Sequence, residues 1–205
     1  MPSEHAVGRY HHGNLRNALI EGAGRVLVEK GTCGFSLREV AKVAGVSHAA
    51  PYRHFRDKAA LLQALTQAGF ERLGLAIRTA ADGKPHNPEQ KLIEAGVAYV
   101  HFAVQNPEIT RLMFGGTVEL QENDARPDAS VTAYESLLDI IQEGVEQGSF
   151  RQRPPQELAL VAWTSMHGLA MLAVAGRLAV EANDERVLDE LVRAVARNVI
   201  YGIVK

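Results

Sequence analysis

Apolar positions along the chain recur at helical spacing. From Leu15 to Leu27 they fall at intervals of three, four or one, which makes a single apolar stripe ending before Gly31. Strand signals are nearly absent, because β-branched runs are short and two-residue hairpin turns are missing. The pattern predicts an all-α protein of about nine helices. They are expected over residues 15–31, 36–45, 47–55, 57–82, 88–105, 107–114, 128–148, 155–177 and 184–203.

The segment from Ser36 to Phe55 predicts two short helices that cross at a steep angle. Ser36 and Glu39 have the spacing of a capping box, in which each side chain bonds the other residue's amide. Gly45 can take the left-handed conformation of a sharp exit, and Ser47 is expected to cap the second helix. This pattern is typical of a helix-turn-helix, whose second helix enters the major groove of DNA. From spacing alone, a generic helical hairpin remains open.

Composition and charge add weak evidence. The 205-residue chain is 46% hydrophobic and 22% charged, which is ordinary globular composition. Residues 1–60 carry nine Lys or Arg against five Asp or Glu, whereas the remainder carries 13 against 19. A basic first part points weakly to an anionic partner such as nucleic acid. The start has no apolar signal-peptide core, so a cytoplasmic protein is expected, and the single Cys33 excludes an intramolecular disulfide.

Two C-terminal helices have the pattern of an interface. Residues 158–176 are apolar on all sides, but polar Thr164, Ser165 and His167 argue against a membrane span. Residues 187–203 form a second apolar stripe. Because a partner subunit commonly buries a second face, a four-helix interface of a homodimer is expected. The positions expected in it are Leu158, Leu169, Leu172, Leu188, Leu191, Val192, Val195 and Val199.

The sequence also resembles a known family. HHGNLRNALIEGAGRVLVEKG and SLREVAKVAGVSHAAPYRHFRDKAALLQAL are similar to the N-terminal domain of the tetracycline-repressor (TetR) family, over residues 10–66. AWTSMHGL, with Trp163, His167 and Gly168, resembles the regulatory-domain subgroup named for its W-H-G residues. AYVHFAVQNPEITRLMF is similar to the central helices of that subgroup. The resemblance implies a DNA-binding regulator with a helix-turn-helix domain followed by a helical regulatory and dimerisation domain.

Carried over by residue, the resemblance implies a set of DNA contacts. Hydroxyl, imidazole and ammonium donors would hold phosphates, while His48 and Arg38 would read base edges through hydrogen bonds and two alanines would offer only methyl contacts. The residues expected on DNA are Ser36, Arg38, Ser47, His48, Ala49, Ala50, Pro51, Tyr52, His54 and Lys58. The division expected is a flexible arm over 1–12, a DNA-binding domain over 13–58 and a sensing and dimerisation domain over 59–205. Arg9, His11 and His12 of the arm could reach DNA, although a disordered tail is the simpler expectation.

In the second domain the resemblance implies a ligand cavity, although residues at this spacing also serve simply as core. The lining expected is Phe70, Phe102, Met113, Phe114, Tyr134, Trp163, Met166 and His167. The expected function is a repressor that binds an inverted-repeat operator as a homodimer and is released by a small molecule. One alternative is a ligand-independent DNA-binding interaction protein, which predicts no cavity.

Enzyme and metal chemistry are weaker alternatives. Ser165 and His167 are the nearest catalytic candidates, but they stand two apart on a helix and face different directions. His101 and His167 lack a second histidine or carboxylate three or four residues away, so a hydrogen-bonded histidine is expected at each position. No cofactor and no metal are expected.

Overall fold

The computed structural model describes residues 12–83, 87–115, 128–178 and 184–203. This part of the chain contains eight α-helices and one short 3-10 helix, which confirms the all-α prediction. In chain order they are α1 His12–Lys30, α2 Leu37–Val43, the 3-10 helix Pro51–Arg53, α3 Lys58–Asp82, α4 Pro88–Gln105, α5 Pro107–Phe114, α6 Asp128–Glu146, α7 Pro155–Val174 and α8 Glu185–Ile203. The predicted N-terminal arm lies outside the described residues except for His12, which begins α1.

Polar side chains at loop positions set where three helices begin. Asp57 Oδ1 accepts from the Ala60 amide at 2.8 Å before α3, and Asn87 Oδ1 accepts from the Gln90 amide at 2.9 Å before α4. Asp184 accepts in the same way from the first amides of α8. Each carboxylate or amide oxygen satisfies an N–H that has no partner within its own helix.

The chain divides into two compact units, with the boundary between Leu65 and Thr66 inside α3. In the first unit α1 packs on α2. Gly22 lies at this contact, where an added Cβ would be 3.5 Å from the Ala44 Cβ and the Val40 carbonyl, an ordinary packing distance. The buried core of this unit consists of Leu19, Ala23, Val26, Leu27, Phe35, Leu37, Val40, Ala41, Phe55, Leu61, Leu62 and Leu65.

In the second unit α4 is central, since it packs against α5, α6, α7 and α8. Its buried side chains recur at helical spacing: Leu92, Ala95, Tyr99, Val100, Phe102 and Ala103. At Gly96 the absent side chain leaves room for Met166 of α7, whose Sδ would lie only 3.0 Å from an added Cβ. The contact between α4 and α7 is therefore tight at this position.

The prediction of an α-helix over residues 47–55 is wrong. This segment forms turns followed by the 3-10 helix. Pro51 has no N–H to donate to the Ser47 carbonyl, which accepts from the Ala50 amide at 2.9 Å. The next bonds keep this three-residue spacing up to His54. One proline thus converts the expected α-turn into a tighter helix.

The apolar stripe of α8 faces its own subunit, contrary to the prediction for the interface. Leu188 and Val192 are 1% and 0% exposed, since α8 packs on α4 and α7. Leu158 and Leu169 of α7 are likewise buried in the subunit core, and Leu191, Val195 and Val199 are half-buried. Of the eight residues predicted in the interface, Leu172 alone is exposed, at 47%.

Helix α7 has one buried and one exposed face. By length and composition Pro155–Val174 could cross a membrane, but such a helix equally occurs in the core of a soluble protein. Its exposed face carries Leu160, Thr164, Gly168 and Leu172 at intervals of four residues. Val161, 50% exposed, lies beside them.

Candidate nucleic-acid interface and candidate ligand cavity

The helix-turn-helix turn is closed by backbone hydrogen bonds that require a glycine. After α2 the Val46 amide donates to the Ala41 carbonyl at 3.0 Å, and the Gly45 amide donates to the Lys42 carbonyl at 3.2 Å. This is the Schellman arrangement, and Gly45 takes the left-handed conformation with φ +69°. The predicted left-handed exit at Gly45 is confirmed.

Ser36 caps α2, but only half of the predicted capping box is present. Its Oγ accepts from the Glu39 amide at 3.3 Å. The Glu39 carboxylate accepts from Lys30 Nζ at the end of α1 rather than from the Ser36 amide. This hydrogen bond lowers the pKa of Glu39, which stays ionised beside α2. The Ser36 hydroxyl proton remains available to a ligand, because the cap uses only the oxygen.

Most residues predicted on DNA lie on the surface of the first unit. Tyr52 is 57% exposed, which is unusual for a large aromatic side chain. The other exposed members of the set are Ser36, Arg38, Ser47, His48 and Ala49. Ala50, His54 and Lys58 are half-buried.

Two residues under this surface are buried. Pro51 is buried and so offers no surface to DNA, contrary to its place in the predicted set. Phe55, expected as core, is 4% exposed, and the Arg16 guanidinium lies 5.4 Å from its ring centre. Together they support the 3-10 segment from below, so that Tyr52 faces solvent.

Lys58 is held by its own unit. Its Nζ donates to the Thr32 carbonyl at 2.6 Å and lies 5.7 Å from the centre of the Phe35 ring. Both partners belong to the connection between α1 and α2. An ammonium group has two further donors, so this contact leaves Lys58 able to bind an anion.

Between Ser36 and Lys58, the predicted DNA contacts omit three cations that the structure leaves exposed. They are Lys42, Arg53 and Arg56. Their charge was visible in the sequence. For Arg53 and Arg56, which lie in or after the 3-10 helix, α-helical periodicity does not tell which side is exposed.

The second unit contains an apolar cavity of about 50 Å³, several times the roughly 10–15 Å³ that one water needs. Helices α3, α4, α6, α7 and α8 contribute to it, together with Phe114 at the end of α5. The lining residues are Phe70, Leu73, Ile77, Leu92, Ala95, Gly96, Tyr99, Phe114, Ala133, Tyr134, Leu137, Ala162, Trp163, Met166, Ala196 and Val199.

The structure places five of the eight predicted cavity residues on this lining: Phe70, Phe114, Tyr134, Trp163 and Met166. The other three lie elsewhere. Phe102 is buried, with its ring centre 5.7 Å from the Arg72 guanidinium. Met113 packs against Gly69. His167 contacts the Tyr99 hydroxyl through its Nδ1. Val199, predicted in the interface, lines the cavity.

The chief missed residue is Tyr99, which lies on the same face of α4 as Leu92, Ala95 and Gly96. Their spacing of three and four residues predicts one buried face of α4, but it does not tell a cavity lining from ordinary core. The cavity forms only because five helices leave space between them. That is a property of packing, and no single helix pattern reports it.

Tyr99 and Trp163 form the polar wall of the cavity, and His167 lies outside the lining but contacts this wall. The Tyr99 hydroxyl lies 2.8 Å from His167 Nδ1. Burial raises the pKa of Tyr99 to about 12, while burial lowers the pKa of His167. Both groups are therefore neutral at pH 7.

A chain of charged groups joins α4 to α8. His101 Nε2 lies 2.9 Å from Asp189 Oδ1, and Arg193 Nε donates to Asp189 Oδ2 at 2.9 Å. Arg193 also donates to both Glu94 oxygens, at 2.9 and 3.0 Å. Although burial raises it, the hydrogen bonds from Arg193 and His101 lower the pKa of Asp189. His101 is thus a hydrogen-bonded histidine, as expected.

The described residues contain no group of three side chains suited to holding a metal ion. Ser165 Oγ donates to the Val161 carbonyl at 2.8 Å within its own helix, and His167 is engaged with Tyr99. No nucleophile and base are therefore brought together at the pair Ser165 and His167.

Comparisons with known proteins agree with these two units. Residues 19–65 match bacterial regulatory proteins of the tetR family, and residues 92–195 match a tetracyclin repressor-like C-terminal domain. No curated protein sequence matches the chain.

Solved structures share the whole fold. A protein of unknown function from Rhodococcus sp. RHA1 is 34% identical with a TM-score of 0.82, over 96% of this chain and 99% of that chain. A TetR-family transcriptional regulator from Pectobacterium atrosepticum is 22% identical, with a TM-score of 0.71 over 95% and 98% of the two chains. A TetR family transcription regulator from Marinobacter aquaeolei VT8 is 18% identical, with a TM-score of 0.68 over 93% and 96%.

The matched families and the helix-turn-helix unit define the chain as a DNA-binding transcriptional regulator. It belongs to the TetR family. Members of this family are soluble DNA-binding proteins that typically dimerise, and the family is one of regulators rather than enzymes.

Proposed function

We propose that this protein is a cytoplasmic repressor that binds an inverted-repeat operator as a homodimer and is released by a small molecule. The observation that carries the DNA-binding part is the exposed surface around Tyr52, supported from below by buried Pro51 and Phe55. A dimer would present two such surfaces about one helical turn of DNA apart, ~34–36 Å. The domain division proposed is a DNA-binding domain over 13–58 and a sensing and dimerisation domain over 59–205.

The proposed roles on DNA follow from the donors that each side chain offers. Ser36, Tyr52, His54 and Lys58 bind phosphates, which fixes the position of the protein on the duplex. His48 and Arg38, both exposed, read base edges, while Ala49 and Ala50 make methyl contacts. With so few hydrogen-bonding readers, sequence preference concentrates in a small number of base pairs.

Binding to a genomic fragment that carries the gene and its upstream region, at stated salt concentrations, tests this proposal. Wild type should protect a defined site and lose affinity steeply as salt rises, because phosphate contacts release counterions. Tyr52→Ala should lose the protection, whereas Tyr201→Ala, which removes a still more exposed tyrosine from α8, should retain it.

If that fragment shows no protection, selection from a genomic library decides the matter. A preferred inverted repeat from the library supports the proposal and moves the operator elsewhere. No preferred sequence from either experiment contradicts operator binding, and equal loss in both tyrosine variants contradicts the role of Tyr52.

The homodimer is proposed to form through the exposed face of α7, defined by Leu160, Thr164, Gly168 and Leu172. This face is apolar, and its hydroxyl is already satisfied, since Thr164 Oγ1 donates to the Leu160 carbonyl at 2.8 Å. An added Cβ at Gly168 would have no neighbour within 4 Å, so the middle of the face is open to another helix. A twofold axis would place this face against its own copy.

Ligand release is proposed to act through α3. Its first two turns, up to Leu65, belong to the first unit, and Phe70, Leu73 and Ile77 further along line the cavity. A ligand that is bound better with α3 in a different position shifts the population toward that position. A change in the separation of the two DNA-binding surfaces would then weaken simultaneous binding to both half-sites. The presence of a cavity favours this function over a ligand-independent interaction protein.

A further inference from the structure

We propose that the cavity selects a small uncharged molecule with a mainly apolar surface and rejects carboxylates and ammonium compounds of the same size. This inference rests on the proposed function, because it assigns a ligand class to the same cavity.

The lining carries no ionisable acid or base other than the phenols of Tyr99 and Tyr134, among the residues the structure describes. All its remaining members are aliphatic, aromatic, thioether or glycine residues. A charged group that enters such a space loses its hydration without gaining a counter-ion, which costs several kcal/mol. The lining therefore disfavours a charged ligand even when its size and shape fit.

The polar wall does not supply the missing charge. Tyr99 is neutral at pH 7, and its hydroxyl is bonded to His167 Nδ1 at 2.8 Å. His167 is neutral as well, since burial lowers its pKa. This wall can exchange one hydrogen bond with an alcohol, ketone or phenol, but it cannot neutralise a carboxylate.

Two cations on the surrounding helices are paired with acids, and a third, Arg78 of α3, donates to Ser136 Oγ at 3.1 Å. Lys91 Nζ lies 2.6 Å from Glu143 Oε2, and Arg193 is bonded to both Glu94 and Asp189. Drawing one of these cations toward a bound anion would leave its present acid unpaired. Lys91 and Arg193 are therefore poor partners for an anionic ligand.

The chain provides its own reporter of occupancy, since Trp163 is its single tryptophan and lines the cavity. Three probes share a ring and differ in charge: cyclohexylmethanol, cyclohexanecarboxylate and cyclohexylmethylammonium. None absorbs where indole does, so each can be titrated against the fluorescence of Trp163 in the full-length protein without DNA.

Cyclohexylmethanol should bind at least about tenfold more tightly than either charged probe. Equal or tighter binding of the carboxylate or the ammonium probe overturns the inference. The inference is also overturned if none of the three probes, up to its solubility limit, changes the fluorescence of Trp163.

A charge placed in the lining tests the cause of the selection. Leu137→Arg adds a cation at a half-buried lining position and should raise the affinity for cyclohexanecarboxylate at least about tenfold. Leu138, at the next position of α6, is half-buried but does not line the cavity. Leu138→Arg should therefore leave the order of affinities for the three probes unchanged. Val199→Lys on α8, with Val195→Lys as its control, repeats the test if the arginine variant does not fold. An unchanged order of affinities in folded Leu137→Arg and Val199→Lys would show that charge in the lining does not set the preference.

Operator binding separates this inference from the proposed function. If cyclohexylmethanol binds as expected but operator affinity at saturating probe is unchanged, the ligand class stands and release by this class of ligand fails. If charged probes bind as well as the alcohol and release the operator, the release function stands and the ligand class fails.

Discussion

Trp163 and His167 stand four residues apart on α7. Trp163 lines the cavity together with Tyr99 of α4, and His167 Nδ1 lies 2.8 Å from the Tyr99 hydroxyl. Residues four apart lie on one face of a helix, so a single tyrosine can meet both. The W-H pair was visible in the sequence, but its partner was not, because nothing in the spacing of α4 distinguishes Tyr99 from a core aromatic residue.

Protonation of His167 should destabilise the folded protein. Burial lowers the folded pKa of His167 below the unfolded value of about 6.5, so the unfolded chain binds more protons as the pH falls. The contribution is fully present above about pH 6.5 and is lost as the pH falls toward the folded pKa. Chemical denaturation from pH 7.5 to 5 should show a smaller decrease in unfolding free energy for His167→Gln than for wild type.

His48→Gln, at an exposed position, serves as the control for that comparison. It should follow the wild-type curve. A His167→Gln curve parallel to wild type over the whole range would show that His167 does not contribute to the acid sensitivity.

Gly45→Ala should destabilise the first unit by about 1–2 kcal/mol, because a Cβ at φ +69° is strained even where no neighbouring atom is close. Gly202→Ala, in α8 with free space around it, should be neutral or stabilising by up to about 1 kcal/mol. Thermal unfolding of both variants checks the opposite signs. A Gly45→Ala protein as stable as wild type would contradict the strain at this turn.

At the scale of elements, α3 depends on the cap that Asp57 supplies. Asp57→Ala should lower the unfolding free energy by about 1 kcal/mol, since the Ala60 amide loses its acceptor. Asp57→Asn keeps an acceptor oxygen and should lose much less. Urea unfolding measures both, and equal losses in the two variants would indicate that the charge of Asp57, rather than its hydrogen bond, stabilises the helix.

Elements with a local cause could be predicted from the sequence. The exit at Gly45 and the start of α3 at Asp57 both follow from interactions within a few residues. The segment after Ser47 was mispredicted as an α-helix, although Pro51 was the local signal for a different hydrogen-bond pattern. In the structure a 3-10 helix avoids the hydrogen bond that Pro51 cannot donate.

Elements whose burial depends on distant partners could not be assigned. An apolar stripe indicates that a helix is buried, but it does not indicate against what. The stripe of α8 was predicted to face a second subunit, and it instead packs on α4 and α7, with Val199 at the cavity. For the same reason the sequence did not indicate which face of α7 is exposed, because α7 is apolar on all sides.

For the whole molecule, the α7 face should control the oligomeric state. Leu160→Glu combined with Leu172→Glu places carboxylates on a face that the proposed dimer buries, so the protein should become monomeric. Light scattering coupled to size-exclusion chromatography measures the mass. Leu75→Glu, which changes a leucine of α3 that is 59% exposed, should remain dimeric.

The same variants test how dimerisation supports DNA binding. A monomer can engage one half-site only, so the α7 double variant should lose operator affinity while retaining its fold by circular dichroism. A double variant that stays dimeric would move the interface away from this face.

The contact between Gly96 and Met166 has a consequence for the evolution of ligand size. A methyl group at position 96 would stand 3.0 Å from the Met166 Sδ, and the flexible thioether would turn aside into the space that it lines. The volume of the cavity would shrink, while Tyr99 and its partners kept their hydrogen bonds. Mutation at this one backbone position can therefore retune the size of ligand that fits without altering the chemistry that the protein selects.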